Sequence, residues 1–316
     1  MPVPFSFIIG PTAGGKTSLA VELALLAGKG EIITSDSIQI YKGLDIGSAK
    51  PTPEERRGVV HHLIDIVEPT ERFTVHDWLA AAERTIAAVR ARGNLPIVVG
   101  GTHLYAKAFL EGLFEGPEGD EAYRTQLRAR GLPALREELE RVDPEAARKI
   151  NANDERRTIR ALEVYHLTGK PITAHQKQWD REDHRRKDVL LVGLDWPSEL
   201  INPRINARVK QMIEQGLVEE TRRLWEAGRF GIQAREALGY KQLIAHFEHV
   251  GGIAATPGFE TIENAIEQIK IETRRFAKNQ RTWLKRLRSF PNAIWIDAAT
   301  EPPETWARKL RDRLGG

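Results

Sequence analysis

Eight residues near the amino terminus, Gly10-Pro11-Thr12-Ala13-Gly14-Gly15-Lys16-Thr17, have the spacing G-x-x-x-x-G-K-[ST] of a phosphate-binding loop. In such a loop the backbone N–H groups curl around phosphate oxygens and the following helix adds partial positive charge at its N-terminus. Lys16 brings a point charge, and the Thr17 hydroxyl can ligate Mg²⁺. Asp36, in Ser35-Asp36-Ser37-Ile38-Gln39, follows an apolar run, so its carboxylate would face that loop across a cleft. There it could orient a magnesium-bound water or take a proton from an acceptor. It could equally be an N-cap or Asx-turn residue. A third group, Gly100-Gly101-Thr102, ends the run Pro96–Val99, where a P-loop ATPase usually has a carboxylate. Two glycines and a hydroxyl suit a second phosphate-cradling loop or a close backbone approach, or a plain turn before the helical pattern at His103–Leu110.

These residues need strands to carry them. Short apolar runs occur at Phe5–Ile9, Glu31–Thr34, Pro96–Val99 and Val189–Leu194, with another at Ala293–Ile296. Helical patterns separate them, which predicts an α/β fold: a P-loop NTPase-like parallel sheet covered by helices, with ligands at the C-terminal strand ends. The strand pattern is lost between Gly116 and Lys187. Gly116–Asp120 reads as a linker, followed by charged helical stretches at Glu121–Arg130, Pro133–Arg141, Pro144–Ile150 and Asp154–Leu167, and by a polar return over Arg181–Lys187. The expected division is a catalytic core, 1–116 with 188–316, and an inserted all-helical domain, 117–187.

Composition excludes several classes. The chain has 316 residues, 41% hydrophobic and 29% charged, and no cysteine, so disulfides, thiolate metal sites and a cysteine nucleophile are out. No run is long and apolar enough for a membrane span. Met1–Ser6 lacks a basic leader and a cleavage site, which makes the cytoplasm the default expectation. The histidines show no His-x-x-x-His spacing that would suggest zinc. The net charge of +3 is uneven: residues 265–290 hold 8 basic and 2 acidic residues, a local +6. On a helix, Arg274, Lys278, Arg281, Lys285 and Arg288 would form one stripe, with Ile266, Ile269, Phe276, Trp283 and Leu287 on the opposite face. Such a row can follow an RNA phosphate backbone or can be an ordinary solvated face.

In combination the motifs are far more specific. Gly10–Thr17, Asp36–Pro51 (Asp-Ser-Ile-Gln-Ile-Tyr-Lys-Gly-Leu-Asp-Ile-Gly-Ser-Ala-Lys-Pro), His61–Asp65, Val99–Thr102, Arg160–Val164, Leu238–Gln242 and Thr273–Trp283 run in order along the chain. Together they resemble the tRNA dimethylallyltransferase (tRNA isopentenyltransferase) family. That resemblance implies transfer of a dimethylallyl group from dimethylallyl diphosphate to the exocyclic amine of an adenine beside the anticodon. It implies a phosphate loop that holds the donor diphosphate rather than ATP, which would account for the missing carboxylate after Val99. It also implies Mg²⁺, a monomer, and partners limited to the donor and the tRNA anticodon arm, with no membrane. Residue by residue, Asp36 matches the general base and Thr102 a threonine at the reacting groups. Gly10, Thr12, Ala13, Gly14, Gly15, Lys16, Thr17 and Arg208 match the diphosphate site, with Thr17 on the metal. Asp36, Ser37, Ile38, Gln39, Thr102, Arg124, Arg156, Arg157, Arg160, Gly239, Tyr240, Lys241, Lys278, Gln280, Arg281 and Lys285 match tRNA contacts. Asn279 replaces a frequent Arg in this last segment, and Gly14 and Ser48 stand where the family often has Ser and Thr. Glu219-Glu220 reads as solvated.

The alternative reading is a P-loop small-molecule kinase of nucleoside type. The Gly-Gly-Thr strand end and the basic segment oppose it. A non-catalytic RNA-binding protein would not need intact Lys16, Thr17, Asp36 and Thr102. A relative that prenylates free adenine nucleotides would not need the basic segment or the long insertion.

Overall fold

A computed structural model describes residues 5–113, 116–176 and 185–314. Most of the Met1–Ser6 segment and the first four residues of the expected Arg181–Lys187 return lie outside the described residues. The sheet consists of β1 (Phe5–Ile9), β2 (Gly30–Ser35), β3 (His61–His62), β4 (Leu95–Gly100), β5 (Val189–Asp195) and β6 (Ala293–Asp297), in the order β3-β2-β4-β1-β5-β6. Every pairing is parallel. β1 is buried along its whole length, as a central strand covered on both faces must be. Five of the strands coincide with the apolar runs. β3 is only two residues long, too short to leave a periodic signal.

Helices alternate with the strands: α1 (Lys16–Leu26), α2 (Pro53–Arg56), α3 (Val75–Ala91) and α4 (His103–Glu111). After these come α5 (Glu121–Arg130), α6 (Leu132–Val142), α7 (Pro144–Lys149), α8 (Glu155–Thr168) and α9 (Ile172–Gln176). The last five are α10 (Ser198–Glu214), α11 (Leu217–Glu226), α12 (Tyr240–Val250), α13 (Ile262–Leu284) and α14 (Pro303–Leu314). The chain separates into two compact units, one of residues 1–106 and 187–316, the other of residues 107–186.

In the sheet-bearing unit, Leu19, Ala20, Leu23 and Ala24 of α1 share a core with Ala307, Leu310 and Leu314 of α14. A second core joins Ile40, Tyr41 and Leu44 to α11, α12 and the start of α13. The register aligns Ile9 of β1 and Ser35 of β2 with Gly100 of β4. The residues that follow these strands, Gly10, Asp36 and Gly101, therefore leave the sheet at one level of its C-terminal edge. A Cβ on Gly100 would lie 1.9 Å from the Ser35 carbonyl oxygen, so only glycine permits that approach.

The unit 107–186 has its own core of Leu127, Leu135, Leu139, Ile159, Leu162 and Val164, with Ile172. Aspartates start three of its helices: the carboxylates of Asp120, Asp143 and Asp154 accept the N–H groups of Tyr123, Ala146 and Arg157. Gly169, at φ 68°, ends α8 in the left-handed conformation.

Candidate active site

The residues that leave the strand ends surround a cavity of about 840 Å³. Thr12–Thr17, Asp36, Gln39, Gly100 and Gly101 line it together with Arg204 and Arg208 of α10 and Phe276 and Gln280 of α13. Ala13 and Gly15 take left-handed backbone conformations, φ 58° and 81°, which bend the loop back over the start of α1. The Trp196 indole N–H donates to the Gly14 carbonyl at 3.0 Å, and Arg204 Nε donates to the Ala13 carbonyl at 3.1 Å. Arg204 also stacks over the Trp196 ring, 4.8 Å from its centroid. The loop is thus held through two of its carbonyls.

Two cations stand over this loop. Lys16 Nζ donates to the Pro11 carbonyl at 2.8 Å, and burial, with Arg208 nearby, lowers its pKa to about 8 despite the opposing pull of Asp36. Burial likewise lowers the pKa of Arg208 from its ordinary value, against the influence of Asp36. Among the described residues neither cation has a carboxylate at ion-pair distance. Thr17 lines the same cavity, so its hydroxyl, together with oxygens of a phosphate bound at the loop, would make a hard oxygen donor set of the kind magnesium takes.

Asp36 faces these groups and is locally braced. Its Oδ1 accepts the N–H groups of Ile38 at 2.8 Å and Gln39 at 3.2 Å, so the Asx-turn geometry and the cleft position coexist in one residue. The Ser37 N–H donates to Thr102 Oγ1 at 3.3 Å, which brings the loops after β2 and β4 together. Gln39 fastens the next turn by donating to the carbonyls of Ser48 and Ala49 at 3.1 Å each. The buried Lys50 donates to the Tyr41 carbonyl at 2.5 Å and to Asp45 at 2.7 Å, and pairs with Asp65.

Several residues expected on RNA are placed otherwise. Tyr240 is fully buried; its hydroxyl donates to Glu220 at 2.6 Å and accepts the Gly47 N–H at 3.1 Å. Glu220, expected in solvent, is buried and accepts the N–H groups of Asp45, Ile46 and Gly47. The reason is electrostatic: three backbone donors and a phenol replace the water that a carboxylate would otherwise need. Gly239 sits at φ 92° just before α12, and Lys241 is exposed and pairs with Glu236 at 2.7 Å. Gln280 is buried against the phosphate loop, whereas Phe276, expected on the core face, is 42% exposed.

Within the basic stripe, Arg281 donates to Ser198 Oγ at 2.6 Å, Arg274 to Asn206 at 2.6 Å, and Arg288 pairs with Asp195. A 3-10 turn over Lys285–Ser289 follows α13, so Arg288 leaves the helical register. Lys278 and Lys285 remain exposed. In the unit 107–186, Arg124 and Arg160 converge on the fully buried Glu163, at 2.8 and 2.5 Å, whereas Arg156 and Arg157 are exposed. Sequence reasoning passed over Arg204, although it stands one helical turn before Arg208, and it gave no sign of Trp196.

Known proteins share this chain's sequence pattern and fold. A family model described as IPP transferase matches residues 39–287, and one described as isopentenyl transferase matches residues 4–69. The tRNA dimethylallyltransferase of Geobacillus thermodenitrificans (strain NG80-2) is 44% identical over 312 residues, covering 96% of this chain and 93% of that one. That of Corynebacterium jeikeium (strain K411) is 41% identical over 313 residues, covering 98% and 95%. Among solved structures, the tRNA isopentenylpyrophosphate transferase of Bacillus halodurans superposes with a TM-score of 0.69 at 37% identity, covering 99% of this chain and 96% of that one. A eukaryotic dimethylallyltransferase described as acting on tRNA gives a TM-score of 0.75 at 28% identity, covering 93% and 73%. The chain belongs to the IPP transferase family, that of the tRNA dimethylallyltransferases.

Proposed function

We propose that the protein transfers a dimethylallyl group from dimethylallyl diphosphate to the exocyclic amine of the adenine 3′ of the anticodon in tRNA. The observation that carries this is the cavity itself. Lys16 and Arg208 stand over a phosphate loop without carboxylate partners among the described residues, and Asp36 stands across from them. β4 ends at Gly100 and is followed by Gly101-Thr102, with no acid there to serve γ-phosphate chemistry.

In this reading the loop N–H groups, Lys16 and Arg208 bind the donor diphosphate and spread the charge it gains on leaving. Thr17 would hold Mg²⁺, which when bound adds Lewis-acid stabilisation of that leaving group. The adenine amine is a weak nucleophile because its lone pair is delocalised into the ring. Asp36 takes its proton as the C–N bond forms, and the carboxylate also stabilises positive charge on the allylic carbon. Thr102, bonded to the Ser37 N–H, stands beside Asp36 at the acceptor side. The adenine must leave its stack to reach the cavity. Arg156, Arg157, Lys241, Lys278 and Lys285 are exposed and suit phosphate contacts, and the unit 107–186 would take part in holding the tRNA.

The test supplies dimethylallyl diphosphate labelled in the allyl group, with magnesium, to tRNA, ATP and AMP separately. Label recovered on an adenine of tRNA is the expected result. Label on AMP or ATP alone would replace the acceptor assignment with a free nucleotide.

A further inference from the structure

Gln280 was expected to touch RNA, yet it is 3% exposed and both ends of its amide are used inside the protein. Its Oε1 accepts the Thr12 N–H at 2.8 Å, and its Nε2 donates to the Gly101 carbonyl at 2.9 Å. One side chain therefore bridges the phosphate loop and the loop that carries Thr102. A backbone N–H needs an acceptor and a carbonyl needs a donor, so only one orientation of the amide satisfies both. The fit is close: a Cβ on Gly101 would come 2.6 Å from Gln280 Nε2 and 3.1 Å from the Gly10 carbonyl oxygen. Gly101 leads directly to Thr102, whose hydroxyl holds the Ser37 N–H beside Asp36.

We propose that Gln280 is a positioning residue that sets the spacing between the donor diphosphate loop and the acceptor-side pair Asp36 and Thr102. This deepens the transferase reading and rests on it. Dimethylallyl transfer joins a carbon held through its diphosphate to a nitrogen held by other residues, so the gap between the two loops is the reaction distance. Lys16 and Arg208 bind the diphosphate wherever the loop stands. Gln280 determines where it stands relative to Asp36, and misplacement by about 1 Å can cost roughly a hundredfold in rate. α13 is fastened to the same loop a second way, since Arg281 donates to Ser198 Oγ and to the Trp196 carbonyl while the Trp196 indole holds Gly14.

Gln280→Glu and Gln280→Met separate this role from RNA contact and from general stability. The carboxylate of Gln280→Glu can accept from Thr12 but cannot donate to Gly101. Once protonated it can do both, and burial favours the protonated form. Charged and titratable groups of the cavity that Gln280 lines are Lys16, Asp36, Asp45, Lys50, Glu55, Arg56, His61, Asp65, Arg204 and Arg208, with Lys278 and Arg281 on the helix itself. The cations among them favour the ionised form of the new carboxylate and oppose burial, and the variant-to-wild-type ratio against pH reads the net balance.

At saturating tRNA, dimethylallyl diphosphate and magnesium, kcat of Gln280→Glu should fall about a hundredfold at about pH 8.5 and recover toward wild type at about pH 6. Gln280→Met should lose a similar factor at every pH. Affinity for tRNA should change less than about twofold in both, as expected for a buried side chain that offers RNA no surface. A near-normal kcat for Gln280→Met, a Gln280→Glu deficit that is flat with pH, or tRNA affinity lost with kcat intact would each overturn the proposal. If instead the wild type labels no tRNA, it is the transferase reading that fails.

Discussion

Two clusters of arginine and lysine in this protein solve opposite problems. In the unit 107–186, Arg124 and Arg160 close on Glu163, which is fully buried and also accepts the Asp120 N–H at 2.7 Å. Burial alone would raise the Glu163 pKa; the hydrogen bonds from Arg124, Arg160 and Asp120 bring it below its ordinary value instead. At the strand ends, Lys16 and Arg208 line one cavity, and burial lowers the pKa of each. The first cluster satisfies its charges within the protein and holds helices in place. The second leaves positive charge for a ligand to satisfy. A basic residue in a motif is therefore a weak guide to ligand binding until its internal partner is known, and Arg124 and Arg160 illustrate this.

The sharpest way to break the contrast is at Asp36, the carboxylate that acts on both cations. Asp36→Asn keeps the Asx-turn acceptor and removes basicity, so single-turnover transfer should fall by roughly 10²–10⁴, the range for general-base help, with tRNA still bound. Near-normal turnover would mean that another group takes the proton. The opposite cluster should respond in stability rather than chemistry. Glu163→Ala leaves two arginines aimed at an emptied site and should cost about 3 kcal/mol, measured by calorimetric unfolding. Lys16→Met should behave in reverse, keeping or raising thermal stability while abolishing donor use, because a cation without a carboxylate partner among the described residues is replaced by an apolar chain.

The pH dependence of donor binding sharpens the same point. With its pKa lowered to about 8, Lys16 loses its proton above that pH, and the protonated form is the one that binds diphosphate. Affinity for inorganic diphosphate with magnesium should therefore weaken as pH rises through about 8, and the Lys16→Met profile should lack this step. The smallest effects belong to exposed charges. Lys278→Gln with Lys285→Gln should weaken tRNA binding and reduce the slope of log K against log salt by roughly 0.7–0.9 for each phosphate contact removed. Stability should change by less than about 1 kcal/mol, as for solvated charges generally. An unchanged slope would mark both lysines as ordinary surface.

Much of the sheet was legible because buried parallel strands are continuous apolar runs, and the phosphate loop because its backbone geometry demands glycines at fixed spacing. β3 was not, since two residues carry no period. Nor was the burial of Tyr240 and Glu220, which depends on a meeting with Asp45–Gly47 far away in the chain. α13 shows an avoidable miss. Its buried positions include Ala265, Ile269, Ala277, Gln280 and Leu284, a helical stripe that lies one position away from Phe276. Counting Phe276 among the core residues set the apolar face one position off, and Gln280 was assigned to RNA by the family resemblance alone. A polar residue on the apolar stripe was the available sign of a buried hydrogen-bonding role.

The account depends on the cavity at the strand ends being the donor site, distinct from the surfaces that hold RNA. Paired affinities for wild type and Lys16→Ala test this most directly, one for dimethylallyl diphosphate with magnesium and one for tRNA. Loss of a charge-assisted contact predicts donor binding weakened by about 10- to 100-fold, with tRNA affinity unchanged within about twofold because Lys16 lines the strand-end cavity rather than the exposed basic surface. An equal loss of tRNA affinity, or donor binding that survives the substitution, would contradict it.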